Sequence, residues 1–185
     1  MIEAIQRRLA ARQDQDQQGG FTLIELMVVV MIIAILVGIA IPAFLGARKR
    51  AQDTAAKSNL RNALGTAQTI FTDNQAYLPT ADVGAVKGMV STLTDEEPSL
   101  TFQDGATKST SAKLISLATA ASTGVATDPL DQIILAAWSS SGNCFYYRHV
   151  ATGGQAGKSG SYWNTTGAGV DCQAGNAPAN GWKPL

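Results

Sequence analysis

A chain of 185 residues has room for one modest domain with an appendage, not for a large multidomain assembly. Lys plus Arg and Asp plus Glu are equal at 14 each, so the formal charge is zero, which argues against a dedicated nucleic-acid binder with its usual basic excess. One histidine and two cysteines leave little material for a metal site, and no metal or other cofactor is expected.

The first 20 residues are polar and Gln-rich, carry Arg7, Arg8 and Arg12, and end in Gly19-Gly20. A Gly-Gly pair alone most often marks a turn. Directly after it, Phe21-Thr22-Leu23-Ile24-Glu25-Leu26 opens an apolar run, and the 22 residues from Leu26 to Ala47 include none that is charged or strongly polar. As a helix such a run spans roughly 33 Å, enough for a hydrocarbon core of about 30 Å. A secretory signal has a shorter apolar region closed by a small-x-small cleavage site, and neither feature is present. Arg48, Lys49 and Arg50 follow the run, so the positive-inside count leans toward a cytoplasmic C-terminal side, whereas the cysteine pair and the Gly-Phe junction argue for export.

Glu25 is the one carboxylate at the entrance of this run. One reading places it at the membrane interface in the first helical turn, where the helix dipole favours an anion. The other requires a cationic partner, and no Lys or Arg is close in sequence. A cut before Phe21 would create one, the new α-amine. Opposite charges about 4 Å apart at an effective dielectric near 20 attract by about 4 kcal/mol before desolvation, and the pairing would remove a lone charge from an apolar bundle.

Glycine followed by Phe-Thr-Leu-Ile-Glu-Leu and an unbroken apolar run resembles the N-terminus of type IV prepilins and of type II secretion pseudopilins. The likeness covers about Gly19 to Asp53. It implies cleavage between Gly20 and Phe21 by a membrane prepilin peptidase, N-methylation of Phe21 by the same enzyme, and pairing of Glu25 with the Phe21 amine of a neighbouring subunit. It also makes Pro42 the residue that bends the helix, with Gly38 to Pro42 the place where filament helices unwind locally. The 20-residue leader, with Gln17-Gln18 where the family more often has Lys or Arg, departs from the family pattern.

Beyond the apolar run the helical pattern continues. Leu60, Ala63, Leu64, Ala67, Ile70 and Phe71 recur at three- and four-residue steps, with Lys57, Arg61, Gln68 and Thr72 assigned to the other side. Asp73-Asn74 and then Pro79 mark the end. One helix from about Thr22 to Thr72 is predicted, about 75 Å long, with Pro42 deleting one backbone hydrogen bond and bending it.

Residues 74–110 read as a surface connection with a short helix around Val83 to Leu93, and Asp95-Glu96-Glu97 as a solvated loop, a cation site being the alternative. Strands are predicted at Leu114–Thr119, Gln132–Trp138 and Cys144–Val150, the last two joined by Ser139 to Asn143 as a hairpin, with a further short strand around Ser161–Asn164. The expected fold is α+β, one antiparallel sheet packed on the amphipathic half of the long helix. Cys144 and Cys172 read as a disulfide tying the Gly-rich tail to the sheet, the alternative being two buried free thiols. The family resemblance favours the bond, since a C-terminal disulfide commonly bounds a filament-exposed loop there. His149 is expected to be packed or at the surface, Trp163 and Trp182 to be core or adhesion contacts, and Asn164-Thr165-Thr166 fits an N-glycosylation acceptor.

The chain therefore divides into a leader (1–20), a transmembrane and assembly helix (21–47), its amphipathic continuation (48–73) and a globular domain (74–185). No nucleophile–base pairing, phosphate-binding glycine loop or metal spacing is present, so an enzyme is not expected. The resemblance implies a bacterial single-pass membrane precursor that becomes a subunit of an extracellular type IV pilus serving adhesion or twitching motility. Its implied partners are further copies and other pilins, prepilin peptidase, the pilus assembly machinery and, before assembly, membrane lipid. The alternatives are a pseudopilin of a secretion or DNA-uptake system and a plain membrane-anchored binding domain. Type II major pseudopilins typically use calcium in the C-terminal region; a cysteine pair there, with Asp171 the lone nearby acid, leans toward a pilin.

Overall fold

A computed structural model describes residues 20–121, 128–151, 159–167 and 171–185, so the expected leader lies outside the described residues except for Gly20. The chain forms two compact units, Met1–Leu45 and Gly46–Leu185. Helix α1, Leu23–Asn74, runs through both, with Pro42 inside it. It ends within two residues of the predicted position. Asn74 Nδ2 donates to the Ile70 carbonyl at 2.9 Å and Gln75 Nε2 to that of Thr72 at 2.8 Å, so side-chain amides satisfy carbonyls of the last turn. Gln75 then takes φ 57°, the left-handed conformation that stops a helix.

In the second unit, α1 buries Ala56, Leu60, Ala63, Leu64, Ala67 and Ile70. The small alanines let the helix backbone approach the sheet, and Leu60, Leu64 and Ile70 fill the space between. A short helix α2, Met89–Glu96, precedes six strands: β1 Thr101–Asp104, β2 Leu114–Ala120, β3 Gln132–Trp138, β4 Cys144–Val150, β5 Gly160–Thr166 and β6 Lys183–Pro184. Their spatial order follows the chain order.

The fold is α+β as expected, but the sheet is mixed. β1 pairs in parallel with β2, in the register Phe102↔Ile115, and the remaining neighbours are antiparallel. β1 escapes sequence reading because it is four residues long with Phe102 as its one large apolar side chain. Residues 74–110 are likewise more than a surface connection. Tyr77, Met89, Leu93, Leu100 and Phe102 all join the main core. The expected helix lies further along the chain, because exposed Val83 and Val86 bridge each other around Gly84, which sits at φ 60°.

Strand alternation sorts side chains onto two faces. The face toward α1 carries Ile115, Leu117, Ile133, Leu135, Phe145 and Tyr147, all buried. The opposite face carries Ala136, Cys144 and Tyr146, and the C-terminal segment covers it with Cys172 and Ala174. The globular unit thus has three layers: helix, sheet and tail. The Cys144–Cys172 disulfide, with Cα atoms 5.5 Å apart, joins the last two. Gly175 donates its N–H to the Gly105 carbonyl at 2.9 Å, an approach that a Cβ on either glycine would block.

Two residues assigned to the solvent side of α1 belong elsewhere. Lys57 places its Nζ 4.8 Å from the Phe145 ring centroid and 5.7 Å from that of Trp163, and Gln68 Nε2 donates to Ser161 Oγ at 3.3 Å. Both reach the β4–β5 edge because long side chains on the flank of a buried stripe lay their stems along the apolar surface.

Candidate assembly site

The start of α1 is held by a reciprocal cap. The Thr22 N–H donates to Glu25 Oε2 at 2.9 Å and the Thr22 hydroxyl donates to the same oxygen at 2.8 Å, while the Glu25 N–H donates to Thr22 Oγ1 at 3.2 Å. This is a capping box, in which a helix-start hydroxyl and a carboxylate three residues later satisfy one another's backbone donors. Its sequence signal, Thr-x-x-Glu ahead of an apolar run, is present, yet Glu25 viewed only as a membrane-facing charge hides it. Every bond falls on Oε2, and among the described residues Glu25 Oε1 accepts none.

Around this cap the surface is apolar on all sides. Every large hydrophobic residue from Phe21 to Leu45 is exposed, from 46% at Val37 to 88% at Phe21. A helix that is hydrophobic all round is stable only when something apolar surrounds it. Leu23–Asn74 is also long and apolar enough to cross a membrane. Glu25 lines a shallow groove of about 410 Å³ with Phe21, Ile24, Val28 and Val29, so one carboxylate stands in an apolar wall. Among the described residues, no heavy atom lies within 4 Å of where a Cβ on Gly20 would stand. The helix is unbroken from Gly38 through Pro42, and proline's missing N–H leaves the Gly38 carbonyl without its helical donor.

The remaining sequence candidates lie in the second unit. Cys144 and Cys172 are both buried and bonded. His149 is packed: the Tyr77 hydroxyl lies 2.5 Å from its Nδ1. Burial, with the Asp131 carboxylate adding to it, pushes the Tyr77 hydroxyl far above its ordinary pKa, and burial lowers that of His149. Both shifts favour the neutral forms, a phenol and an imidazole sharing one hydrogen bond. Trp163 packs against the main core, and Trp182 against the tail cluster, where the Arg148 guanidinium lies 4.6 Å from its ring. Asn164 Nδ2 donates to the Asn180 carbonyl at 2.9 Å. Asp95 and Glu96 close α2 rather than forming a loop; Asp95 pairs with Lys87, and Glu97 accepts from the Ser99 hydroxyl. Among the described residues no three His, Cys, Asp or Glu side chains converge as metal ligands.

An all-apolar N-terminal helix with one capped carboxylate runs into a helix-on-sheet domain, and the proteins this chain is similar to are type IV pilins and type II secretion proteins. Residues 16–41 match the prokaryotic N-terminal methylation motif. The chain is similar to a type IV wide pilus major component, PilA4, of Thermus thermophilus, at 48% identity over 58 residues, 31% of this chain and 44% of that one. It is similar to the type IV major pilin protein PilA of Myxococcus xanthus, at 52% over 59 residues, 31% of this chain and 26% of that one. It is also similar to a type II secretion system core protein G of Vibrio cholerae, at 39% over 85 residues, 44% of this chain and 55% of that one. The matches thus cover between about a quarter and a little over half of these relatives' lengths. No solved structure matches the chain.

Proposed function

We propose that this chain is a structural subunit of a type IV pilus, cut between Gly20 and Phe21 by prepilin peptidase, N-methylated at Phe21 and polymerised through α1. The observation that carries this reading is the Glu25 carboxylate: Oε2 is committed to the cap at Thr22, Oε1 accepts nothing among the described residues, and the groove beside it is lined by Phe21, Ile24, Val28 and Val29. An unpaired carboxylate in such surroundings is costly when lipid or other helices close over it. Cleavage creates an ammonium at Phe21, and the Phe21 amine of an adjacent copy is the partner that removes the cost. Burial between the apolar helices drives cohesion without direction, and the charge pair supplies axial register. Pro42, with the orphan Gly38 carbonyl, marks the point where α1 bends or unwinds on assembly. Before assembly the helix anchors the precursor in the membrane, where it meets the peptidase and the assembly machinery; afterwards the second unit faces outward and serves adhesion or motility.

The test is mass spectrometry of material sheared from cells. A product beginning at methylated Phe21, abundant outside the cell, is expected. Recovery of the extracellular protein with Met1 to Gly20 still attached would overturn the reading. A second reading, a secretion-system pseudopilin, is favoured by the 85-residue similarity to core protein G. It predicts the same mature N-terminus in the envelope fraction and little in the sheared one.

A further inference from the structure

Two flanks of α1 carry opposite charge. On one flank Lys57 and Arg61 line a cleft of about 230 Å³ with Tyr147 and Trp163. Lys183, on β6, brings its Nζ 5.3 Å from the Trp163 ring, which Lys57 also approaches. Gln68, seven residues beyond Arg61 on the same helix row, bonds to Ser161 of β5, so this flank faces the β5–β6 edge. On the other flank Thr66, Thr69 and Asp73, spaced by three and four residues, form a groove of about 480 Å³ with Glu96 of α2. The neighbouring acids Asp95 and Glu97 are already engaged, by Lys87 and Ser99. Among the described residues, Lys57, Arg61, Lys183, Asp73 and Glu96 have no ion-pair partner.

We infer that these flanks dock on one another between copies: the Lys57–Arg61–Lys183 edge of one chain seats against the Asp73–Glu96 groove of the next. The proposal rests on the reading of the chain as a self-assembling subunit and adds to it a specific contact between globular units. Three arguments support a second copy as the occupant. The charges are complementary in sign, and complementary patches set partner choice and register. The basic side chains are held in place beforehand, because the Phe145 and Trp163 rings fix the Lys57 ammonium, which lowers the ordering cost on docking. Finally, the two patches lie on different flanks of one helix. A contact joining different surfaces is heterologous and repeats without closing, which builds a filament rather than a two-fold dimer.

The test uses the full-length chain in a host that carries the assembly machinery, reading sheared filament yield against membrane precursor and against processing at Phe21. Lys57→Glu with Arg61→Glu makes both flanks acidic, and Asp73→Lys with Glu96→Lys makes both basic. Each pair alone is expected to lower filament yield by about tenfold or more, at unchanged precursor and processing. Co-expression of the two chains should restore assembly, because alternating copies regain opposite charges at every contact, and all four substitutions in one chain should restore it too. If wild-type filaments form but yield is insensitive to reversal, or lost without recovery in both combinations, the proposal is overturned while the pilin reading stands. If the wild-type chain keeps Met1 to Gly20 and never polymerises, both fall. A basic-flank variant that leaves the membrane fraction while the acidic-flank variant assembles normally assigns that edge to anionic lipid and overturns the proposal. Should the reversed chains fail to accumulate, Lys57→Gln with Arg61→Gln and Asp73→Asn with Glu96→Gln replace them. Each neutral pair should lower yield by about threefold and all four together no further, as for two halves of one contact, whereas multiplying losses overturn it.

Discussion

Ala174 donates its backbone N–H to the buried hydroxyl of Ser116 at 3.0 Å, and that hydroxyl donates in turn to the Asp104 carbonyl at 3.1 Å. One side chain thereby links the tail, β2 and β1, the three segments whose association local sequence signals least. Ser116→Ala leaves a buried N–H without an acceptor, which costs about 1–3 kcal/mol. Denaturant unfolding of the purified protein should show the loss, with faster amide exchange confined to the tail and β1. An unchanged midpoint would mean that the tail contributes little to the cooperative unit.

Thr22 and Glu25 let the cap be separated from the charge. Glu25→Gln keeps the capping geometry, since glutamine also serves at that position, but removes the anion. Filament yield should drop as far as in Glu25→Ala, with cleavage at Gly20-Phe21 intact. Thr22→Ala should instead weaken the helix start by about 0.5–2 kcal/mol, seen as amide exchange over Leu23 to Leu26 in micelles, while the carboxylate stays available. Full filament yield from Glu25→Gln would reduce Glu25 to a capping residue.

Acid should destabilise the globular unit through His149. Burial lowers its pKa in the folded chain below the ordinary 6.5. The unfolded chain therefore binds the proton first, and stability declines as pH falls below about 6.5 until the folded-state pKa is passed. Thermal melts of the wild type between pH 7.5 and 5 should show this slope, and His149→Gln should flatten it. Tyr77→Phe removes the hydroxyl bonded to Nδ1 and should lower stability at neutral pH by about 1 kcal/mol.

Loss of the Cys144–Cys172 bond, which closes a loop of 28 residues, should cost about 3–4 kcal/mol by the chain-entropy relation. Comparing the melting temperature of Cys172→Ser with that of the wild type under reductant measures it, and the two should agree. A drop in the mutant alone would point to packing of the serine rather than to the cross-link.

Much of this architecture is legible in the amino acids where one strong local signal acts. The apolar run and Asp73-Asn74 bracket α1, and β3 and β4 fall at their predicted bounds because Ser139 to Asn143 forms the turn between two alternating apolar stretches. The residues that go unread depend on distant partners. β1 exists because Phe102 lies beside Ile115, a parallel pairing with no turn to announce it. The tail becomes a layer through Ala174 and a close pair of glycines, residues too small to stand out in a hydrophobic pattern. At the N-terminus Glu25 is conspicuous because charge in an apolar run is rare. Thr22 is not, because a threonine there looks like ordinary filler until its bonds are seen.

The cross-link between β4 and the tail also sets the order in which the molecule comes apart. Chain positions 144–172 form a covalent ring that includes β5, so a protease or a shear force acting on the C-terminal end cannot unzip the outer layer past Cys172 without disturbing the central strand β4. With the bond reduced, the segment is held by non-covalent contacts alone, among them Ser109 to the Cys172 carbonyl, Gly175 to the Gly105 carbonyl and Ala174 to Ser116. Its lifting would lay bare Ala136 and Tyr146, turning the covered outer face of the sheet into an exposed apolar patch prone to association.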